Sequence, residues 1–179
     1  MIPDLNTTGY LPVGRYNCTL NEIEDKFVNN FPTGSTRKGI WSDFNEYVSL
    51  LRKTNCVCAL WIGGSFTSNK ANPGDIDVVA IINADQVHEG TRVDAFLKFC
   101  SAGSDFKTRS GWAVDSYGLW WKPDTSGGYS QEPKYFKYRG YWDDFWQRTR
   151  SGLVKRSVIT RNETFPKRGY LEVTINDYR

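Results

Sequence analysis

The chain contains a single histidine, His88. That count makes a two-histidine zinc-hydrolase motif impossible. It also forces any Ser-His-Asp scheme through one residue of the polar stretch ADQVHEGT, where a surface position is expected. Cysteine is scarce too. Cys18, Cys56, Cys58 and Cys100 include a C-x-C but no C-x-x-C, so no redox couple or zinc knuckle is encoded and buried, reduced thiols are expected. No apolar run approaches the roughly 20 residues of a membrane-spanning helix. The opening MIPDLNTTGYLPVG lacks the basic-then-apolar order of a secretory signal. The expectation is a cytoplasmic protein with no membrane partner.

What is present suffices for a packed core. Aromatic residues make up 15% and charged residues 24% of 179 residues, the composition of a globular domain rather than of a disordered chain. One domain of this size needs no disulfide or metal staple. The formal charge is only +3, but it is unevenly spread: from Lys134 onward there are 11 Lys and Arg against 5 Asp and Glu, and before it 12 against 15. A basic C-terminal quarter suits an anionic partner, or is an ordinary solvated face.

Residues 1–18 are rich in turn formers (Pro3, Gly9, Pro12, Gly14) and are expected to wrap the surface. TLNE at 19–22 reads as a capping box opening a helix with Leu20, Ile23 and Phe27 on one side. A second helix is expected from about 35 to 53, with Ile40, Trp41, Phe44, Tyr47, Val48 and Leu51 as its core stripe. CVCALWI (56–62) and DIDVVAII (75–82) read as buried strands joined by a polar loop, and RVDAFLKFC (92–100) as a short helix. GWAVDSYGLWW (111–121) reads as an aromatic-rich strand, 122–133 as a loop, and KYRGYWDDFWQRT (137–149) as a helix. LVKRSVI (153–159) and YLEVTI (170–175) are strand-like. This order predicts a single α/β or α+β domain with a mixed central sheet flanked by helices. Its parts are an N-terminal segment with two helices (1–55), a core (56–121) and a basic extension (122–179).

The stretch WIGGSFTSNKANPGDIDVVAI (61–81) carries the chemistry. Asp75 and Asp77 are two apart at the mouth of an apolar strand, so both face one side while Ile76 and Val78 face the other. Two carboxylates held this close repel, and a divalent cation or a proton relieves them; a solvated pair is the plain alternative. Hard oxygen ligands suit Mg²⁺ or Mn²⁺. The Gly63-Gly64-Ser65 turn between the two strands offers backbone N–H groups and a hydroxyl to phosphate oxygens. Asp115, an acid inside an otherwise apolar strand, is the candidate third carboxylate; Asp94 and Asp105, in helix and loop readings, are weaker ones. Phosphates on one strand end and metal carboxylates on the next make a nucleoside-triphosphate site that needs no histidine.

G-G-S followed about ten residues later by Asp-Ile-Asp, with a later strand Asp, resembles the DNA polymerase β-like nucleotidyltransferase superfamily over residues 57–119. The flanks, GYLPVGRYNCTLNEIEDKF and YWDDFWQRTRSGLVKRSVI, are similar to a small bacterial family of minimal nucleotidyltransferases. The resemblance implies that Gly64 and Ser65 bind a triphosphate and Gly63 shapes the turn. It implies that Asp75 and Asp77 hold both Mg²⁺ ions and that Asp115 completes the ion activating the acceptor hydroxyl. It also implies relatives among antibiotic-modifying enzymes, tRNA-directed toxins with a cognate antitoxin, and phage-defence enzymes. The expected reaction moves a nucleoside monophosphate from a nucleoside triphosphate such as ATP to a hydroxyl of RNA, protein or a small molecule. A regulatory module that kept the fold and a metal-dependent nuclease are the competing readings.

In the extension, Lys134, Lys137, Arg139, Arg148, Arg150, Lys155 and Arg156 alternate with Tyr135, Tyr138, Tyr141, Trp142 and Trp146. Such interleaving holds phosphates and stacks bases, tilting the acceptor toward RNA, although Trp142, Phe145 and Trp146 have core spacing. Arg148, Arg150 and Lys155 are candidates for neutralising the triphosphate.

Overall fold

The capping box is where the sequence translates most directly into structure. In the computed structural model of the chain, which describes residues 1–122, 133–149, 160–176 and 178, Thr19 Oγ1 accepts from the Glu22 amide at 3.2 Å. Glu22 Oε2 accepts from the Thr19 amide at 2.9 Å. Helix α1 (Leu20–Glu24) starts there and runs into a π-helical turn, Asp25–Asn29, that buries Phe27 and Val28. Helix α2 (Arg37–Thr54) follows, with all six residues of its expected stripe buried. Asn55, in the left-handed conformation at φ 55°, ends it.

The strands are β1 (Arg15–Asn17), β2 (Val57–Gly63), β3 (Ile76–Asn83), β4 (Ala102–Gly103), β5 (Val114–Trp121) and β6 (Tyr170–Thr174). Among the described residues they form one mixed sheet in the order β1-β6-β2-β3-β5-β4. β2 runs antiparallel to both β3 and β6, while β3 and β5 are parallel. The parallel pair requires a crossover, which α3 (Arg92–Cys100) and α4 (Ser104–Ser110) provide. A mixed α/β domain is therefore what the chain forms.

Alternation along the central strands builds two cores. Leu60, Ile62, Ile76, Val78, Ala80 and Ile82 pack with α2, Leu97 of α3 and Phe106 of α4. Trp61, Val79, Ile81 and Leu119 face the other way, onto Trp142 and Trp146 of α5 (Pro133–Gln147) and Tyr170. Each large apolar side chain so buried contributes about 1.5–3 kcal/mol. Helix α5 packs on the face that carries Asp77, which lies two residues before Val79 on the same side of β3. Among the described residues no helix is long and apolar enough to cross a membrane.

Three expectations change. The turn-rich lead contains β1, a strand too short to show periodicity, recruited by parallel pairing with β6 through Arg15↔Tyr170. Asp105 lies in helix α4 rather than a loop, because SDFKTRS buries only Phe106 and so displays no stripe. Phe145 is 36% exposed, so of the spaced aromatic trio only Trp142 and Trp146 are core. The loop expected over 122–133 lies outside the described residues except at its two ends, and the strand expected over 153–159 lies outside them entirely.

The loop between β2 and β3 is held by the start of α2. Arg37 has no exposed surface. Its Nη1 donates to the Phe27 and Phe66 carbonyls at 2.8 and 2.7 Å, and its Nη2 to those of Ser68 and Lys70 at 2.8 and 2.7 Å. Its Nε also reaches Lys70 O, at 3.2 Å. Ser35 Oγ and Thr36 Oγ1 donate to the Ala71 and Pro73 carbonyls just beyond. Burial lowers the Arg37 pKa to about 10, still charged at neutral pH. Arg37→Met is expected to lower unfolding free energy by about 2–4 kcal/mol, since it strands buried carbonyls. Arg37→Lys should recover only part, because an ammonium lacks the planar five-donor fork. Urea denaturation followed by tryptophan fluorescence measures both.

Candidate functional site

Strand register puts the site together. Gly63, the last residue of β2, pairs with Asp77, and Asp77 pairs with Asp115 on β5. The three stand in one row across adjacent strands, so the Asp77 and Asp115 side chains leave the same face side by side. Asp75 lies just ahead of β3, not within it. Its carboxylate takes a 2.7 Å ion pair from Lys107 Nζ of α4. Asp115 Oδ2 accepts from the Tyr117 hydroxyl at 3.3 Å, and burial first, then this carboxylate, pushes the phenol pKa upward.

The turn closes over this row. Gly64 adopts φ +73°, and a Cβ built on it would lie 1.7 Å from Asp77 Oδ2. Only a glycine lets the backbone pass so near the carboxylate. Gly63 is a glycine for another reason: a Cβ there would meet the Trp146 ring at 2.7 Å. Its face is therefore taken by α5. Ser65 is half-buried, and its carbonyl accepts from Ser68 Oγ at 2.7 Å.

Asp77 is the electrostatic centre. Burial first, then the Asp75 and Asp115 carboxylates, push its carboxyl up to about 7; Arg168 and Lys107 pull the other way. Arg168 had no part in the sequence reading. Its Nη1 donates to Gly64 O at 3.2 Å and its Nε to Trp146 O at 3.0 Å, so one side chain ties the turn to the end of α5. Burial lowers its pKa and Asp77 opposes that shift. A signal existed: a charge one glycine ahead of an apolar strand (RGYLEV), close to the way Asp75 heads β3. Lys107 was missed because α4 shows no stripe.

Gly64, Asp77, Trp146, Arg148 and Arg168 share a cleft of about 260 Å³. Arg148 pairs with Asp144, and its buried Nε has no hydrogen-bond partner among the described residues. Of the expected site, then, Gly64, Asp77 and Arg148 come together in the cleft. Asp115 adjoins Asp77 in the row, while Asp75, Gly63 and Ser65 flank it. Arg150 and Lys155 lie outside the described residues. The four cysteines are all described and stand as thiols; burial pushes Cys18 and Cys100 up to about 12, which keeps them unreactive. His88 is exposed, as expected.

Among the described residues no three His, Cys, Asp or Glu side chains are grouped as a metal cage. The donor chemistry nevertheless fits a hard cation at Asp77 and Asp115. These are carboxylate oxygens; burial first, and then the neighbouring Asp75 and Asp115 carboxylates, disfavour a charged Asp77, and a cation would relieve both. Asp75 joins them only by exchanging Lys107.

The chain belongs to a family described as a family of unknown function (DUF6932), matched over residues 3–174. No curated protein and no solved structure matches it. The matched span takes in the whole row and both basic residues that flank it, Lys107 and Arg168.

Two outcomes follow from this geometry. Gly64→Ala should cost about 2 kcal/mol or more, from the left-handed backbone and the collision with Asp77. Gly74→Ala, where a Cβ meets nothing within 4 Å, should stay within about 0.5 kcal/mol of the parent in the same urea titration. Secondly, Asp77 titrates near 7 when folded and near 3.8 when unfolded. The folded state thus holds a proton that the unfolded chain has lost, and this stabilisation is complete below about 3.8 and lost as pH rises through 7. In EDTA, the urea midpoint should fall between pH 5.5 and 8, and Asp77→Asn should flatten that fall.

Proposed function

We propose that the protein is a divalent-metal-dependent nucleotidyltransferase. It moves a nucleoside monophosphate from a nucleoside triphosphate to a hydroxyl acceptor and releases pyrophosphate. The observation that carries this reading is the row Gly63–Asp77–Asp115, with the Gly64 backbone turned over Asp77. Two carboxylates beside a glycine turn are what a metal-bound phosphate chain requires, and the resemblance in GGS and Asp-Ile-Asp points to the same chemistry.

In the reaction, the acceptor oxygen bonds to the α-phosphorus as the bond from that phosphorus to the pyrophosphate oxygen breaks. The hydroxyl proton passes to a site carboxylate or to water. Asp77 and Asp115 would hold Mg²⁺ or Mn²⁺, which when bound supplies charge neutralisation on phosphate and acidifies the acceptor hydroxyl. Arg148 brings to the cleft an Nε–H that has no hydrogen-bond partner among the described residues, suited to a phosphate oxygen. Arg168 holds the Gly64 turn in place and offsets the carboxylate charge. Lys107 serves as the counter-charge of Asp75 when no cation is present.

Incubation with α-labelled nucleoside triphosphates, Mg²⁺ and total RNA is the test. Label joined to RNA is the expected result. Asp77→Ala and Asp115→Ala should each lower transfer about 100-fold or more, and Arg148→Ala about tenfold or more. RNA fragments without label would instead indicate a nuclease. Absence of both label transfer and triphosphate binding would leave a regulatory module that kept the fold.

A further inference from the structure

A second cavity lies on the same sheet face, and the site just described makes no use of it. It has a volume of about 550 Å³ and shares no lining residue with the Asp77 cleft. Trp61 of β2, Trp121 of β5, Tyr135 of α5 and Tyr178 give it aromatic walls. Trp121 and Tyr178 meet edge to face, with centroids 5.5 Å apart. Two guanidinium groups complete it. Arg15 lies over the Trp61 ring at 5.0 Å and is fixed there by a 3.1 Å ion pair with Glu172, while Arg139 is exposed on α5.

This lining has two chemical requirements at once. Aromatic faces and an Arg plane accept a flat heteroaromatic ring by stacking. Exposed positive charge beside them accepts a phosphate. An acidic peptide would use the second and waste the first; an apolar ligand would make no use of the exposed Arg139 charge. A nucleotide uses both, and the volume falls within the range of pockets that enclose a ligand of that size.

The position adds a direction. Ile81 and Leu119, which also line the cavity, stand four residues along β3 and β5 from Asp77 and Asp115. At about 3.3 Å per residue the two sites are roughly 13 Å apart along the strands. Helix α5 runs between them, with Tyr135 and Arg139 at the cavity and Trp146 at the cleft.

We propose that this cavity is a nucleotide-binding site, distinct from the triphosphate cleft, that holds one base and phosphate of a single-stranded RNA acceptor. Its role in presenting an acceptor rests on the transfer reading above; its binding of a nucleotide does not. A strand anchored by a nucleotide here has the reach for its terminal hydroxyl to lie at the Asp77–Asp115 row.

The test is fluorescence anisotropy with a labelled single-stranded RNA hexamer, using the full chain in EDTA so that no catalysis contributes. The wild type should bind saturably. Tyr135→Ala with Arg139→Glu should weaken binding at least tenfold and reduce the slope of log affinity against log salt. Arg139→Glu alone sits on an exposed helix position, so its circular dichroism and melting should match the parent while it still weakens binding. Asp77→Asn should bind RNA as the parent does but lose transfer. An AMP competition arm separates the sources. AMP displacing the hexamer at similar concentration supports a free nucleotide as occupant, and much weaker displacement supports RNA. Binding that the cavity variants leave intact, absence of hexamer and AMP binding, or stronger capture of a poly-glutamate peptide overturns the proposal. Absence of transfer by the wild-type chain in Mg²⁺, with cavity-dependent binding retained, overturns the enzyme reading alone.

Discussion

Arg37 is the interaction on which the arrangement of the site depends. Its guanidinium is wholly buried and is satisfied, among the described residues, by carbonyls of the chain around it. Burying a cation this way is costly unless its donors are met. Here all three nitrogens find backbone oxygens, and those of Phe66, Ser68 and Lys70 belong to the loop that separates Gly64 from Asp75. A polar loop that has no regular hydrogen-bond ladder of its own thereby acquires a fixed path. The Phe31 ring, 3.8 Å from the guanidinium carbon, covers the group. Helix α2 thus does two things: its apolar stripe builds a core, and its first residue sets the spacing between turn and carboxylates.

From that constraint the electrostatics follow. With the loop fixed, Gly64 is brought against Asp77, and strand register brings Asp115 beside it. Three acids then share one sheet end, where desolvation and mutual repulsion raise the Asp77 carboxyl. The chain answers with Lys107 on one side and Arg168 on the other. Helix α5 depends on the same groups. Its last carbonyls accept from the backbone amides of Lys167 and Arg168 at Gln147 O and from the Arg168 side chain at Trp146 O. The turn, the helix end and the acidic row are therefore one connected unit, and the basic residue at its centre is remote in sequence from the motif it serves.

The sheet face under α5 divides into an acidic end and an aromatic, basic end. The helix that spans both presents Tyr138 and Tyr141 outward and Trp142 and Trp146 inward. This split explains why the basic, aromatic sequence between 134 and 146 gives an ambiguous pattern: packing and ligand-facing roles occupy alternate sides of one helix, so neither period dominates.

Local sequence was sufficient for the capping box, the α2 stripe, the two buried strands, the 92–100 helix and the carboxylates at the strand mouth. Each of these is written in periodicity, in turn chemistry or in an acid set within an apolar run, signals that need only neighbours a few residues away. β1 and α4 were hidden because one is held by a distant strand and the other by a single buried Phe. The pairing of Asp77 with Asp115, the collision that makes Gly64 obligatory, Trp146 on Gly63, and the roles of Arg37, Lys107 and Arg168 were decided only by the tertiary structure. They are contacts between segments separated by tens of residues, set by strand register and burial, and no local pattern in the chain records which strands will lie side by side.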